Sequence, residues 1–157
     1  MRITYSSSID DDVKKKWKLF NAGERQFDFL VMAYLNSPDG WSQQGYFFEP
    51  VERDPHVNIT LSSTKTIDIE CPGIKGLSCA ELGGRRMYLN AERWFTGAPK
   101  SGLNLEDYRQ YMISHEMGHI LGHDHEKCRC SGCRAPIMLQ QTLGLKGCSP
   151  NTNVNYK

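Results

Sequence analysis

Residues 115–125 read HEMGHILGHDH and hold four of the chain's five histidines. His115 and His119 stand four positions apart. On a helix this spacing puts two imidazoles on one face, about 40° apart around the axis and about 6 Å apart along it. Two rings so placed can close on one divalent ion at about 2.0–2.1 Å each. Glu116 directly follows the first histidine, so it lies beside such an ion rather than on it. A carboxylate there can take a proton from a metal-activated water. Taken alone, the five residues HEMGH also suit an ordinary helix with two histidines and a solvated glutamate.

A tetrahedral site needs a third protein ligand and an open position. If the helix ran on, His123 would sit about 12 Å along the axis from His115, too far for a shared ion. The third ligand must come from chain that has turned back. Gly122 supplies the turn, and His125 lies three residues beyond it. We assign His115, His119 and His125 as metal ligands and Glu116 as the proton acceptor. His123 follows the glycine at once and has little chain in which to return, so it reads as a supporting or surface residue. Asp124 is an alternative third ligand, or an acceptor behind one.

These letters fit HExxHxxGxxH at every fixed position, and through them the chain resembles the metzincin zinc metalloproteases. Metzincins carry a methionine in a tight turn beneath the metal. APIM, ending at Met138 thirteen residues after His125, matches that role, the alternative being a plain core methionine. The segments LNAERW, YRQYMISHEMGHILGHDHEKC, APIMLQQT and GCSPN are similar to an uncharacterised, mostly bacterial, extracytoplasmic metzincin-like domain family, over roughly residues 40–150.

The resemblance implies one catalytic Zn2+ and hydrolysis of peptide bonds in a peptide or protein substrate. Zinc would polarise the scissile carbonyl and acidify a water, with Glu116 as general base and then acid. It also implies a substrate lying extended along an edge strand, for which Arg86 to Asn90 is our candidate. Some metzincins add a tyrosine just after the methionine turn. Here Leu139, Gln140 and Gln141 follow Met138, so only a distant residue such as Tyr156 could serve. Two other readings remain: a catalytically silent metzincin-fold binding protein, and a zinc hydrolase of another amide, such as in peptidoglycan.

The elements that must position these groups can be read from periodicity. Asn104 or a neighbour caps a helix through about residue 122, with Glu106 and Asp107 in its first turn, where the dipole favours acids. Glu24 to Leu35 has helical spacing, and SPDG at 37–40 stops it. ITY, GYFFEPV, HVNITLSS and RMYLN read as strands, and Thr66 to Ile69 as a possible extension of the sheet. Residues 71–84 and the stretch with Trp94 and Phe95 read as loops. Beyond Gly122 we expect little regular structure until a short helix after Met138. The sum is an α+β, metzincin-like single domain over residues 1–157: a mixed twisted sheet, an active-site helix and an irregular C-terminal lobe.

Composition narrows the partners. Hydrophobic residues are 39% and charged residues 24% of 157, a globular balance. The net charge is +1, from 19 Lys+Arg and 18 Asp+Glu, so no basic footprint for nucleic acid or an anionic membrane is expected. Lys14 to Lys16 face Asp10 to Asp12 and read as internally neutralised. No stretch is long and apolar enough for membrane insertion, and a monomer is expected. The first residues lack the apolar core of a signal peptide. Asn58-Ile-Thr60 is a glycosylation triplet, but it falls in an expected strand and reads as structural.

Six cysteines, Cys71, Cys79, Cys128, Cys130, Cys133 and Cys148, cluster around loops, with none in residues 1–70. Their even number suggests disulfides and an oxidising compartment, against which the missing signal peptide argues. The family resemblance implies Cys71–Cys79 and Cys128–Cys148 bridges, leaving Cys130 and Cys133 as a small disulfide or as thiols. The rival reading is a second, structural zinc held by Cys128, Cys130, Cys133 and Cys148.

Overall fold

A computed structural model describes residues 1–155. Five strands form one sheet: β1 (Arg2–Ile9), β2 (Phe47–Pro50), β3 (Val57–Ser62), β4 (Cys79–Ala80) and β5 (Arg86–Asn90), in the order β2-β1-β3-β5-β4. The first four run parallel, and β4 alone is antiparallel, on the edge beside β5. Alternation of side chains decides the two faces. Tyr5, Val57, Ile59, Leu61, Met87 and Leu89 are buried on one of them. Ile59 registers with Met87, and Leu61 with Leu89, so the apolar rows line up across strands. The other face carries hydroxyls and an amide. Ser6 donates to Asn58 at 2.8 Å, and Ser8 meets Thr60 at 3.4 Å. The two long helices therefore cover the apolar side.

That cover consists of α2 (Ala22–Leu35) and α5 (Leu105–Ile120), which pack on each other. Phe27, Val31, Tyr34 and Leu35 of α2 are buried, as their spacing predicts. Asn104 caps α5: its side chain accepts the Asp107 N–H at 2.8 Å, with Glu106 and Asp107 in the first turn. Gln110 ties the two helices together, donating to the Tyr34 carbonyl at 3.1 Å. Trp94 fills the space beneath, edge-on to Phe27 and Tyr34 and with the Arg109 guanidinium over its ring. Beyond α5 the described residues form one 3-10 turn, Gln141–Leu143, as their regular element. The architecture is α+β, with a mixed sheet, a long central helix and an irregular C-terminal lobe.

Four local expectations are corrected. Thr66 to Ile69 does not extend the sheet but belongs to helix α3 (Thr64–Glu70). In a strand Ile67 and Ile69 would share a face, yet Ile67 is 1% exposed and Ile69 66%. Ser63 nucleates the helix by accepting the Thr66 N–H. Trp94 and Phe95 lie in helix α4 (Ala91–Thr96), capped by Asn90, rather than in a loop. The loop over residues 71–84 contains β4. The lysine run forms helix α1 (Asp11–Trp17), and its partners are not Asp10 to Asp12: Lys14 pairs with Glu24 at 3.2 Å, and Lys16 with Glu92.

All six cysteines are paired, as Cys71–Cys79, Cys128–Cys148 and Cys130–Cys133. A four-cysteine zinc site would require breaking two of these bridges.

The Asn104 cap gives a test of how α5 is held. Asn104→Ala should lower unfolding stability by about 1 kcal/mol in urea titration, the usual cost of a lost N-cap.

Candidate metal centre

Helix α5 is buried almost all round from Tyr108 to Ile120, although its sequence is polar. It tolerates that burial because its polar groups have partners. Tyr111 donates to the Leu139 carbonyl at 3.0 Å and accepts the Gln141 N–H at 2.9 Å. The Ser114 carbonyl accepts the Trp41 indole N–H at 2.8 Å. The helix ends as its glycine requires. Gly122 takes φ +96°, and the His123 N–H bonds back to the Gly118 carbonyl at 2.9 Å.

The turn carries His125 back over the helix. Ring nitrogens of His115, His119 and His125 all lie within 4.8 Å of one another. Nε2 of His119 and Nε2 of His125 face each other at 3.1 Å. Tetrahedral ligation at about 2.0–2.1 Å places ligand nitrogens about 3.4 Å apart, so this spacing suits a small shared cation. The far side of each helical ring is fixed. Nδ1 of His115 lies 2.8 Å from the Ile137 carbonyl, and Nδ1 of His119 lies 2.8 Å from the His123 carbonyl. Each Nδ1–H donates to its carbonyl, which leaves Nε2 as a lone pair aimed at the common point. Burial holds both imidazoles neutral, with His115 pushed down to about 3 and His119 also lowered. The donor set fits a divalent zinc-type ion.

His123 contributes through its main chain. Its exposed ring stacks on Trp41, centroids 4.8 Å apart, and points away from the other three. Asp124 accepts the His125 N–H at 2.7 Å and so braces the returning segment.

Glu116 is 6% exposed. Its Oε2 is buried and has no hydrogen-bond partner, alone in this among the described residues. Desolvation pushes its carboxyl from an ordinary 4.5 up to about 8. An orphaned carboxylate oxygen beside three convergent imidazoles lacks a positive or proton-bearing neighbour, and a cation with a water would supply both.

Met138 packs under this group against Gly118. A β-carbon added at Gly118 would lie 2.4 Å from the Met138 sulfur and 3.0 Å from the Trp41 ring. The reading from sequence had passed over Gly118, Trp41, Ile137 and Tyr111. A glycine inside an otherwise helical His-x-x-x-His segment was the available signal, because glycine there costs about 1 kcal/mol against alanine and needs a packing reason.

The three histidines open into a cleft of about 500 Å³ that runs along α5 from His119 to Tyr108. Its opposite wall is β4 with Glu81 and Leu82. The edge strand is therefore β4. Strand β5, our candidate, lies inside the sheet between β3 and β4, and its backbone is already paired on both sides. Two residues were too short a run to register as a strand in the sequence. Tyr156 lies outside the described residues.

Two measurements probe this packing and its electrostatics. Gly118→Ala should cost about 1–3 kcal/mol of stability by overpacking Met138 and Trp41, read by thermal unfolding. Proton linkage gives the second. Folded Glu116 keeps its proton to about pH 8, so its contribution is intact below pH 4.5 and lost as pH rises to about 8. His115 acts oppositely, intact above 6.5 and lost as pH falls towards about 3. In EDTA the protein should thus be most stable between these limbs. Glu116→Gln should then stabilise it at pH 8, by roughly 3–5 kcal/mol at full effect, with little change at pH 4.

Among solved structures the chain is similar to two of myroilysin. In these the TM-scores are 0.45 and 0.47 and the identities 18% and 19%, with 80% and 85% of this chain matched. The chain spans about half the length of those myroilysin chains, 49% and 45%. It is also similar to archaemetzincin from Archaeoglobus fulgidus in complex with malonate, with a TM-score of 0.48, 18% identity, and 100% and 96% of the two chains covered. No curated protein matches it. Residues 2–153 match the family described as "Protein of unknown function (DUF3152)", and the chain belongs to that family.

Proposed function

We propose that this protein is a zinc-dependent endopeptidase of the metzincin type. The reading rests above all on Glu116, whose buried, unpartnered oxygen lies beside three imidazoles converging through Nε2. A decayed, merely structural site has no reason to keep an unpaired carboxyl in its interior, where it costs stability.

His115, His119 and His125 would hold one Zn2+. When bound, zinc supplies a Lewis acid that polarises a carbonyl and acidifies a water. The remaining work falls to the chain. Glu116 accepts a proton at its free oxygen and delivers it to the leaving amine. Its low-dielectric surroundings raise its proton affinity, and a neighbouring cation would bring it back towards working pH. The carbonyls of Ile137 and His123 keep the two helical imidazoles oriented with Nε2 forward. Met138 and Gly118 set the height of the floor beneath them.

The substrate side follows from β4. The Glu81 N–H bonds the Arg86 carbonyl at 3.1 Å, continuing the β4–β5 ladder. Bonded and non-bonded pairs alternate in an antiparallel ladder, so Ala80, opposite Met87, turns its N–H and C=O away from β5. An extended peptide lying between β4 and α5 would pair with those two groups over the histidines. The near-neutral charge gives no reason to expect nucleic acid, and the site is built from one chain, so we read the protein as acting as a monomer on peptides or proteins.

Cleavage of a mixed peptide library tests the reaction. Purified protein loaded with zinc should cut, EDTA should stop it, and Glu116→Ala should lower kcat by about 10²–10⁴-fold. Undiminished activity in Glu116→Ala would rule out this mechanism. The ligand assignment has its own measurement. Elemental analysis should find one zinc in the wild type and in His123→Ala, and none held stoichiometrically in His125→Ala.

A further inference from the structure

Strand β4 is two residues long, and one of the two is half of a disulfide. Cys79 is bridged to Cys71, the residue that closes helix α3, and both cysteines line the cleft. Besides the bridge, the segment is held by the Asn90 N–H donating to the Ser78 hydroxyl at 2.8 Å, by Arg93 donating to the Gly76 carbonyl at 3.0 Å and by the Glu81–Arg86 ion pair. Its register with β5 spans two residue pairs. The chain leading to it passes through Gly73 and Gly76, both at positive φ, where the backbone has the most freedom to lose. At its far end the Gly83 N–H donates to the His119 carbonyl at 2.7 Å. The strand thus runs from the bridge at one end to the helix that carries the metal ligands at the other, with β5 along its inner side. Ala80 sits directly between these two anchors.

The geometry points to the Cys71–Cys79 bridge as a positioning pair for peptide binding. It holds the outward N–H and C=O of Ala80 over the histidines before any peptide arrives. Without the bridge, an incoming main chain would have to order β4 as it binds, and that ordering would subtract from its affinity. This role rests on the peptidase reading above. It concerns the peptide backbone only, and leaves the metal and Glu116 untouched.

Two probes separate these contributions in zinc-loaded protein. Acetohydroxamate reads the metal alone, and the extra affinity of a peptidyl hydroxamate reads the strand edge. Cys71→Ser/Cys79→Ser should weaken the peptidyl probe by about tenfold or more while moving acetohydroxamate by less than about twofold. Ala80→Pro removes the outward N–H at an edge position where proline is tolerated, and should give a similar loss. It also keeps the test available if the cysteine variant folds poorly. Because the two changes act on one contact, the combined variant should bind no more weakly than the weaker of the two. Cys130→Ser/Cys133→Ser, whose bridge lies outside the cleft lining, should change neither probe. The positioning role is overturned if the peptidyl probe keeps its affinity without the Cys71–Cys79 bridge, if both probes weaken together, or if the losses add. Failure of acetohydroxamate to bind the wild type would instead sink the zinc reading, and the positioning role with it.

Discussion

The contact between Met138 and Gly118 governs how closely the C-terminal lobe can approach helix α5. Only a residue without a β-carbon leaves room for the sulfur, and Trp41 closes the same gap from the side. That approach brings the Ile137 carbonyl to His115 and the Leu139 carbonyl to Tyr111. It also sets where the segment from Gly122 to Glu126 can run, because the Glu126 N–H bonds the Met138 carbonyl at 3.0 Å. His125 therefore reaches the two helical histidines because a methionine thirteen residues later fits against a glycine. Packing density thereby sets how the three imidazoles meet.

The same closeness has an electrostatic consequence. A dry helix face keeps imidazoles neutral and ready to donate lone pairs, but it also strands a carboxyl without a partner. Two neutral helical imidazoles and a buried carboxyl form an arrangement that lacks positive charge. Any cation that binds the folded site and not the open chain stabilises the fold by mass action. On the proposed peptidase reading, function and stability are coupled through Glu116: the group that would move the proton is the one whose burial costs most without a neighbouring cation.

What the sequence made legible follows the same division. The helix from Leu105, its Asn104 cap and its stop at Gly122 were readable because periodicity and end signals are local. The choice of His125 over His123 as the third member of the cluster needed only helix rise and a glycine. Helices α3 and α4 were missed because six or seven residues carry too few turns to show a period, and β-branched Thr66, Ile67 and Ile69 imitate a strand. Strand β4 was invisible for a different reason. Its two residues are defined by what lies beside them, and no property of Cys79 or Ala80 alone announces an edge. Gly118 was in plain view, but its reason, a sulfur twenty residues away, exists only in three dimensions.

The lobe that carries Met138 has almost no regular structure, so its shape needs other supports. Its own apolar cluster is small, built on Ala135, Leu139 and Cys148. A core of that size cannot order some thirty residues by burial alone. The Cys128–Cys148 bridge closes the lobe, and Asn151 and Gln141 stitch it from within: Asn151 donates to the Ala135 carbonyl, and Gln141 to that of Asn151. The opposite wall has the same weakness in β4 and the same remedy in Cys71–Cys79. Each wall of the cleft is thus a short or irregular segment braced by a disulfide against a regular element or its own tail, while the floor is a capped helix. A site assembled this way can vary its walls without disturbing the histidines on α5. The turn at Gly122 rests on no bridge: a β-carbon there would meet open space, yet it would strain a backbone held at φ +96°.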